Sequence, residues 1–181
     1  MQIKQTPIKD LLIIEPKVFK DERGYFFESF KKNIFELNGV KVSFVQDNIS
    51  KSKKGTIRGL HYQVGNNAQG KLCQVIVGRV IDVAVDIRFT SPMYRKHFAV
   101  ELSEENHLQL WIPPGFAHGF SVLSDEAIFS YKCTAYYSKE EERSILYNDS
   151  DLNINWQIEI PVVSEKDLKA RLFKDIDRDF F

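Results

Sequence analysis

The stretch Ile81-Asp82-Val83-Ala84-Val85-Asp86-Ile87-Arg88 alternates apolar side chains with a polar-leaning set. Successive side chains of a β-strand point to opposite faces of the sheet, so this alternation predicts a strand. One face, formed by Ile81, Val83, Val85 and Ile87, is dry, and the other can line a pocket. We therefore expect a sheet built around this segment.

Short runs rich in Val, Ile, Phe and Tyr recur on both sides of this strand, separated by clusters of Gly, Pro, Asn and Ser. This rhythm is typical of strands rather than helices. The predicted strands cover residues 11–14, 24–30, 42–49, 56–63, 71–77, 80–88, 97–102, 108–112, 117–123 and 127–136. Short helices are predicted at 31–37 and near 164–167, where Ser164 and Asp167 have the spacing of a helix cap. The pattern predicts one all-β domain over 1–181, an antiparallel double-sheet jelly roll.

The charge balance excludes some classes of partner. The chain has 181 residues, with 25 Lys and Arg against 25 Asp and Glu. The chain therefore has no net positive charge that would attract nucleic acid or an anionic membrane. The first fifteen residues contain four charged side chains, and no apolar segment of spanning length follows, so we expect a cytoplasmic protein. Cys73 and Cys133 could pair, but in a reducing compartment they are expected to be buried thiols.

Two predicted strands each carry a histidine beside a glycine. Residues 58–63 read Arg-Gly-Leu-His-Tyr-Gln, and residues 113–120 read Pro-Pro-Gly-Phe-Ala-His-Gly-Phe. Arg58 and Lys71 lie near the first histidine in sequence. An acid/base group beside fixed positive charge can remove a proton next to a carbonyl and hold the resulting enolate. This combination predicts an enzyme.

The spacing of Arg58 and His61 poses a geometric problem. In a regular strand, residues three apart point to opposite faces. A β-bulge at Gly59 would bring both side chains to one pocket. Otherwise Arg58 serves the structure or a neighbouring subunit.

Nine motifs, in order, make the chain similar to the dTDP-4-dehydrorhamnose 3,5-epimerase family of cupin-like enzymes. They lie at residues 21–26, 46–50, 58–63, 69–72, 82–88, 113–120, 131–132, 148–149 and 164–167. The resemblance implies a cupin-type jelly roll that inverts C3 and C5 of a nucleotide-linked 4-keto-6-deoxyhexose. The implied substrate is dTDP-4-keto-6-deoxyglucose, and the implied reaction needs no cofactor. The resemblance also implies a homodimer.

The same resemblance implies roles for individual residues. His61 is the base, Asp167 orients and stabilises its imidazole, Tyr131 is the acid on the opposite face, and Lys71 holds the enolate oxygen. Each has a structural alternative: a core histidine, a helix-cap aspartate, a packed tyrosine and a solvated lysine. The residues implied to bind substrate are Arg23, Phe26, Glu28, Gln46, Asn48, Arg58, His118 and Tyr137. The resemblance also implies that Arg23 and Phe26 reach the partner's pocket. Strand 24–30 would be an exposed edge in a monomer, and pairing across a two-fold axis would cover it.

Other functions stay open from the sequence. Pro113, Gly115 and His118 also fit the second half of a metal-binding cupin signature, although the first half would need His-x-His where this chain has His61-Tyr62-Gln63. With His97 and His107 expected at the surface, we predict no metal. A metal-dependent cupin and a non-catalytic sugar-binding cupin remain alternatives. So do a C3-only epimerase and a ketoisomerase on a related dTDP- or GDP-linked sugar, and Arg88 is as readily structural as functional.

Overall fold

The computed structural model describes residues 1–180, which form a β-rich fold with two short helices. The strands are β1 Gln2–Gln5, β2 Leu12–Glu15, β3 Phe19–Asp21, β4 Gly24–Phe26, β5 Gln46–Lys53, β6 Ile57–Gln63, β7 Lys71–Val77, β8 Arg79–Asp86, β9 His97–Ser103, β10 Gln109–Ile112, β11 Phe116–Val122, β12 Glu126–Cys133 and β13 Glu142–Ser144. The helices are α1 Lys32–Leu37 and α2 Glu165–Leu168, with 3-10 turns at Gly65–Asn67 and Phe173–Asp175.

Two antiparallel sheets face each other. One has six strands in the order β1-β2-β10-β7-β12-β5, and the other has five in the order β13-β6-β11-β8-β9. A separate hairpin pairs β3 with β4. Neighbours in these sheets are often distant in sequence, which is the arrangement of a jelly roll. The predicted all-β fold is therefore confirmed.

The core lies in three layers. Between the sheets, Phe129 of β12 stacks on Phe120 of β11 with ring centroids 4.2 Å apart. The outer face of the six-stranded sheet packs under α1, with Phe35 against Trp111 and its neighbours. The outer face of the five-stranded sheet is covered by the C-terminal segment, which includes Trp156. Apolar side chains between the two sheets thus form the central layer of the core.

Strand β8 differs from the prediction in one respect. Its polar-leaning face is buried as well as its apolar face, and both Asp82 and Asp86 are 0% exposed. The reason is position: β8 lies between β11 and β9, with the inter-sheet core on one side and the C-terminal layer on the other. Arg88 Nη2 lies 2.7 Å from Asp86, and its Nη1 lies 2.8 Å from Asp10. Arg88 therefore has a structural role.

Most predicted elements are present with shifted ends. The strand at 71–77 matches β7 and the helix at 31–37 matches α1 within one residue. The strand predicted at 24–30 is wrong beyond Phe26, because β4 is one short arm of a hairpin that turns at Glu22 and Arg23. The strand predicted at 42–49 begins only at Gln46 and continues to Lys53. Strands β1, β3 and β13 were not predicted.

Two further expectations concern cysteines and membranes. Cys73 and Cys133 are buried free thiols, as predicted. Of the helices within residues 1–180, none has the length and apolar character needed to span a bilayer.

Candidate active site

A cavity of about 250 Å³ opens between the two sheets. Its walls come from β5, β6, β7, β11 and β12, so both sheets contribute. It is lined by Asn48, Ile49, Ser50, Arg58, His61, Lys71, His118, Phe120 and Tyr131. Four residues singled out from the sequence, His61, Lys71, His118 and Tyr131, are thus brought together.

The bulge expected at Gly59 is present. His61 pairs with His118, and Arg58 pairs with Phe120, so three steps along β6 match two along β11. Gly59 has φ +128°, and a Cβ at this position would lie 2.5 Å from the Cα of Gly119. Only glycine permits this close approach of the two strands. Arg58 and His61 consequently face the same cavity.

His61 is held by an aspartate from the C-terminal region. Its Nε2 lies 2.6 Å from Oδ1 of Asp167, whose side chain is 4% exposed against 30% for His61. Oδ2 of Asp167 also accepts the backbone N–H of Gly59 at 3.5 Å. Burial raises the pKa of Asp167, but the hydrogen bond and charge of His61 outweigh it, so this pKa lies below its ordinary value. The carboxylate is ionised and can stabilise a charged imidazole.

The helix-cap alternative for Asp167 holds at the same time. Its backbone N–H donates to Oγ of Ser164 at 3.1 Å, which caps α2. The cap uses the backbone, and the histidine contact uses the side chain. The two interpretations of Asp167 are therefore compatible.

His118 forms a second histidine–aspartate contact. Its Nε2 lies 2.6 Å from Oδ1 of Asp82, and Sγ of Cys73 lies 3.8 Å from the same nitrogen. Donor atoms of these three buried residues lie within 4.8 Å of one another. The 2.6 Å contact is a hydrogen bond, however, and leaves no room for an ion bonded to both atoms at about 2.0–2.2 Å in tetrahedral geometry. The cluster in this conformation does not fit a metal.

Lys71 and Tyr131 occupy the wall formed by the six-stranded sheet. Lys71 is 9% exposed, and its Nζ lies 5.9 Å from the ring centroid of Tyr131. Among residues 1–180, neither Lys71 nor Arg58 forms a salt bridge. Two cations without carboxylate partners suit the cavity to an anionic ligand or a developing negative charge.

The phenol of Tyr131 is protonated near neutral pH. Burial, followed by the neighbouring Cys133 and Cys73, raises its pKa to about 12, while Arg58 opposes the shift. Tyr131 can therefore donate a proton to a stronger base, but it does not ionise near neutral pH.

A chain of hydrogen bonds lines the rim. Gln46 Nε2 donates to Oδ1 of Asn48 at 3.0 Å, and Gln46 Oε1 accepts the backbone N–H of Tyr137 at 2.9 Å. The hydroxyl of Tyr137 donates to Glu142 at 3.1 Å, and Lys166 also donates to that carboxylate. Burial raises the pKa of Glu142, but Lys166 and Tyr137 outweigh it, so the pKa lies below its ordinary value.

Glu142 and Lys166 were missed from the sequence. Residues 140–143 read Glu-Glu-Glu-Arg, which is typical of a solvated charged surface. Lys166 lies inside the predicted cap motif but had no signal of its own. Only the pairing of β13 with β6 brings Glu142 to the rim near His61.

Five of the eight predicted binding residues do not line the cavity of their own chain. Gln46 and Tyr137 belong to the hydrogen-bond chain that reaches Asn48, and the other three lie in or just after the β3–β4 hairpin. Arg23 and Phe26 are on the exposed β3–β4 hairpin, and the Arg23 side chain is 85% exposed beside Asp21. Glu28 follows the hairpin and pairs with Lys31 at 3.0 Å. The structure of one chain does not bring these residues to His61.

The prediction that His107 lies at the surface is wrong. It is 7% exposed, with its ring centroid 4.6 Å from that of Tyr25 and 5.1 Å from that of Phe27. These aromatic residues belong to the hairpin region, whose packing was not visible in the local sequence. His97 is partly buried on β9.

The chain is similar to characterised proteins over nearly its whole length. The family model described as dTDP-4-dehydrorhamnose 3,5-epimerase matches residues 5–175. The dTDP-4-dehydrorhamnose 3,5-epimerase of Shigella flexneri is 57% identical over 178 residues, which is 98% of each chain.

Solved structures of relatives have the same fold. The crystal structure of dTDP-4-dehydrorhamnose 3,5-epimerase from Elizabethkingia anophelis has a TM-score of 0.93 at 54% identity and covers 97% of both chains. The dTDP-6-deoxy-D-glucose-3,5-epimerase of Legionella pneumophila, in complex with dTDP-4-keto-L-rhamnose, has a TM-score of 0.93 at 53% identity. That match covers 97% of this chain and 94% of the Legionella chain.

Proposed function

The chain belongs to the dTDP-4-dehydrorhamnose 3,5-epimerase family, and from this premise we propose that it inverts C3 and C5 of dTDP-4-keto-6-deoxyglucose. The product is dTDP-4-keto-rhamnose. The observation that carries the proposal is one cavity holding His61 with Asp167 on one wall and Tyr131 with Lys71 on the other. His61 is on the five-stranded sheet, and Tyr131 is on the six-stranded sheet.

This arrangement suits epimerisation through an enolate. The C4 ketone acidifies the hydrogens on C3 and C5, so a base on one face and an acid on the other invert each centre. His61 removes the proton, and Asp167 stabilises the imidazolium that forms. Tyr131 delivers a proton from the opposite wall, and the ammonium of Lys71 stabilises the enolate oxygen. A sugar ring bound between the sheets would lie between the two groups.

The remaining predicted residues form the proposed substrate site. Arg58 and His118 lie beside the sugar, while Gln46, Asn48 and Tyr137 contact the nucleotide at the rim. Arg23 is the proposed contact of the diphosphate, because guanidinium groups bind phosphate oxygens in a bidentate manner.

A homodimer completes this proposal. Strand β5 is the edge of the six-stranded sheet, and its residues Asn48 to Ser50 border the cavity. The β3–β4 hairpin of each chain exposes Phe19, Tyr25 and Phe26. Pairing across a two-fold axis would cover both features and would carry Arg23, Phe26 and Glu28 to the partner's cavity.

Two conditions of the reaction follow from the proposal. The enzyme uses no cofactor, because the ketone of the substrate already activates both carbons. It works in the cytoplasm, where a reducing environment keeps Cys73 and Cys133 as free thiols. Activity should therefore survive EDTA, whereas loss on EDTA treatment and recovery with a divalent ion would support the metal-dependent alternative.

Deuterium incorporation from solvent tests the function. The protein is incubated with dTDP-4-keto-6-deoxyglucose in D2O, and the label is located by mass spectrometry and NMR. Deuterium at both C3 and C5, with the rhamno configuration in the product, is expected. Label at C3 alone would indicate a C3-only epimerase, and a moved ketone would indicate a ketoisomerase. Binding without any incorporation would indicate a non-catalytic sugar-binding protein.

A further inference from the structure

Asp82 is a carboxylate in the apolar layer between the sheets. It is 0% exposed, and its Oδ1 lies 2.6 Å from Nε2 of His118. Its Oδ2 has no hydrogen-bond partner among the residues that the structure describes. Burying a carboxylate with a single partner is unfavourable, and an apolar side chain would pack here without that penalty. The contribution of Asp82 is therefore to His118 rather than to stability.

The contact fixes which nitrogen of His118 carries the proton. A carboxylate oxygen accepts hydrogen bonds, so we assign Nε2 of His118 as the donor in this 2.6 Å contact. The one other polar atom beside Nε2 is the thiol sulfur of Cys73 at 3.8 Å, which is a weak partner. With Nε2 occupied, Nδ1 is the ring nitrogen left for a ligand in the cavity.

We propose that Asp82 is a positioning residue that keeps His118 in the Nε2–H tautomer, so that its Nδ1 lone pair accepts a hydrogen bond from a substrate hydroxyl. This inference rests on the proposed function, in which the keto sugar carries a hydroxyl next to its ketone. Arg58 and Lys71 in the same cavity can only donate hydrogen bonds. Nδ1 of His118, fixed in the cavity wall, supplies the hydrogen-bond acceptor for a substrate hydroxyl that these two cations cannot supply.

The charges around His118 support the neutral form. Asp82 faces it from β8, Lys71 and Cys73 from β7, and His61 from β6. Burial lowers the pKa of His118, Lys71 and His61 act in the same direction, and Asp82 opposes them. The net lowering leaves the imidazole neutral near pH 7, as an acceptor must be.

The experiment compares Asp82→Asn with Asp86→Asn. Both aspartates are on β8 and are 0% exposed, but Asp86 pairs with Arg88 and Ser91 instead of a histidine. Long-range ¹H–¹⁵N NMR of the full-length protein reports the tautomer of each of its four histidines, and a His118→Gln variant assigns the signal. Turnover, KM and dTDP binding are measured on the same samples.

In the unmodified protein, His118 should be the Nε2–H tautomer. In Asp82→Asn the amide NH₂ can donate to Nε2, so the proton should move to Nδ1 and kcat should fall about 10- to 100-fold. The affinity for dTDP should not change. Asp86→Asn should lower the melting temperature but leave the His118 tautomer and kcat of the folded protein unchanged.

Several results would overturn the inference. They are a proton on Nδ1 of His118 in the unmodified protein, an unchanged kcat in folded Asp82→Asn, or the same tautomer change in Asp86→Asn. The tautomer is read without substrate, so it tests the inference even if Asp82→Asn does not fold. An unmodified protein that shows the Nε2–H tautomer but no epimerase activity would instead refute the proposed function.

Discussion

Replacing Asp167 with Asn tests the proposed base most sharply. The substitution keeps the size of the side chain and removes the charge that lies 2.6 Å from His61 Nε2. The cap of α2 should persist, because Ser164 accepts from the backbone N–H of Asp167 rather than from its side chain. Any loss of rate can then be assigned to the support of the imidazole.

The magnitude follows from the contact. A hydrogen bond to a charged group contributes about 1.5–3 kcal/mol, and each ~1.4 kcal/mol is a factor of ten in rate. Enolate formation should therefore slow about 10- to 150-fold. A Coulomb estimate of about 6 kcal/mol, for unit charges at the 2.6 Å of this contact and an effective dielectric of 20, sets the upper bound.

Deuterium wash-in at C3 and C5 measures this step directly. Ser164→Ala is the matched control, since it removes the cap and keeps the carboxylate. It should cost about 0.5–2 kcal/mol of stability with wash-in near the unmodified rate. A rate for Asp167→Asn within about threefold of the unmodified protein, well short of the range expected from the charged hydrogen bond, would refute the reasoning. So would an equal loss in both variants.

Acid stability gives a second readout of the same contact. The pKa of Asp167 is lowered in the folded protein from its ordinary 3.8. A lowered pKa contributes stability above the unfolded value, and this contribution is lost as the pH falls through the folded value. The stability difference between the unmodified protein and Asp167→Asn should therefore be largest above about pH 4 and shrink in more acidic solution. Urea denaturation across this range checks the sign, and a difference that grows on acidification would contradict it.

Three other predictions concern the acid, the bulge and the hairpin. Tyr131→Phe should suppress epimer formation more than wash-out of substrate hydrogen. His61→Ala should lower the rates of both by at least ~10²-fold, and near-normal hydrogen exchange in that variant would show that His61 is not the base. Gly119→Ala would place a Cβ 2.7 Å from the carbonyl oxygen of Arg58, so thermal denaturation should show a loss of about 1–3 kcal/mol, accompanied by slower wash-in. Arg23→Ala should raise KM several-fold with little change in kcat, and sedimentation should show a dimer at micromolar concentration; a monomer would contradict the proposed assembly.

The local sequence predicts strands well where burial alone decides them. Strand β7 has the predicted bounds, and the bulge at Gly59 could be anticipated because Arg58 and His61 needed it to share a cavity. The hairpin could not be anticipated in this way. Residues 24–30 are rich in aromatic side chains, but the end of β4 at Phe26 and the packing of Tyr25 on His107 depend on contacts between distant segments.

The environment of Asp82 shows a similar limit. The alternation in β8 correctly predicted that the side chain of Asp82 lies on the face opposite the apolar one. It did not predict whether the face with Asp82 is exposed to solvent or buried. That depends on which strands flank β8 and on the sheet that faces it, and both are set by pairing between segments far apart in sequence. Glu142 was missed for the same reason, because its charged run has the composition of a solvated surface until β13 pairs with β6.

Burial, rather than residue type, distinguishes the two histidines of the cavity. His61 and His118 are paired across β6 and β11, and each has a carboxylate oxygen 2.6 Å from its Nε2. The side chain of His61 is 30% exposed and that of His118 is 7% exposed. A base must become charged during turnover, and the partly solvated His61 bears that charge at less cost. His118 is buried with Asp82 and stays neutral. A histidine–aspartate pair can therefore act as a proton acceptor at His61 and as a fixed hydrogen-bond acceptor at His118.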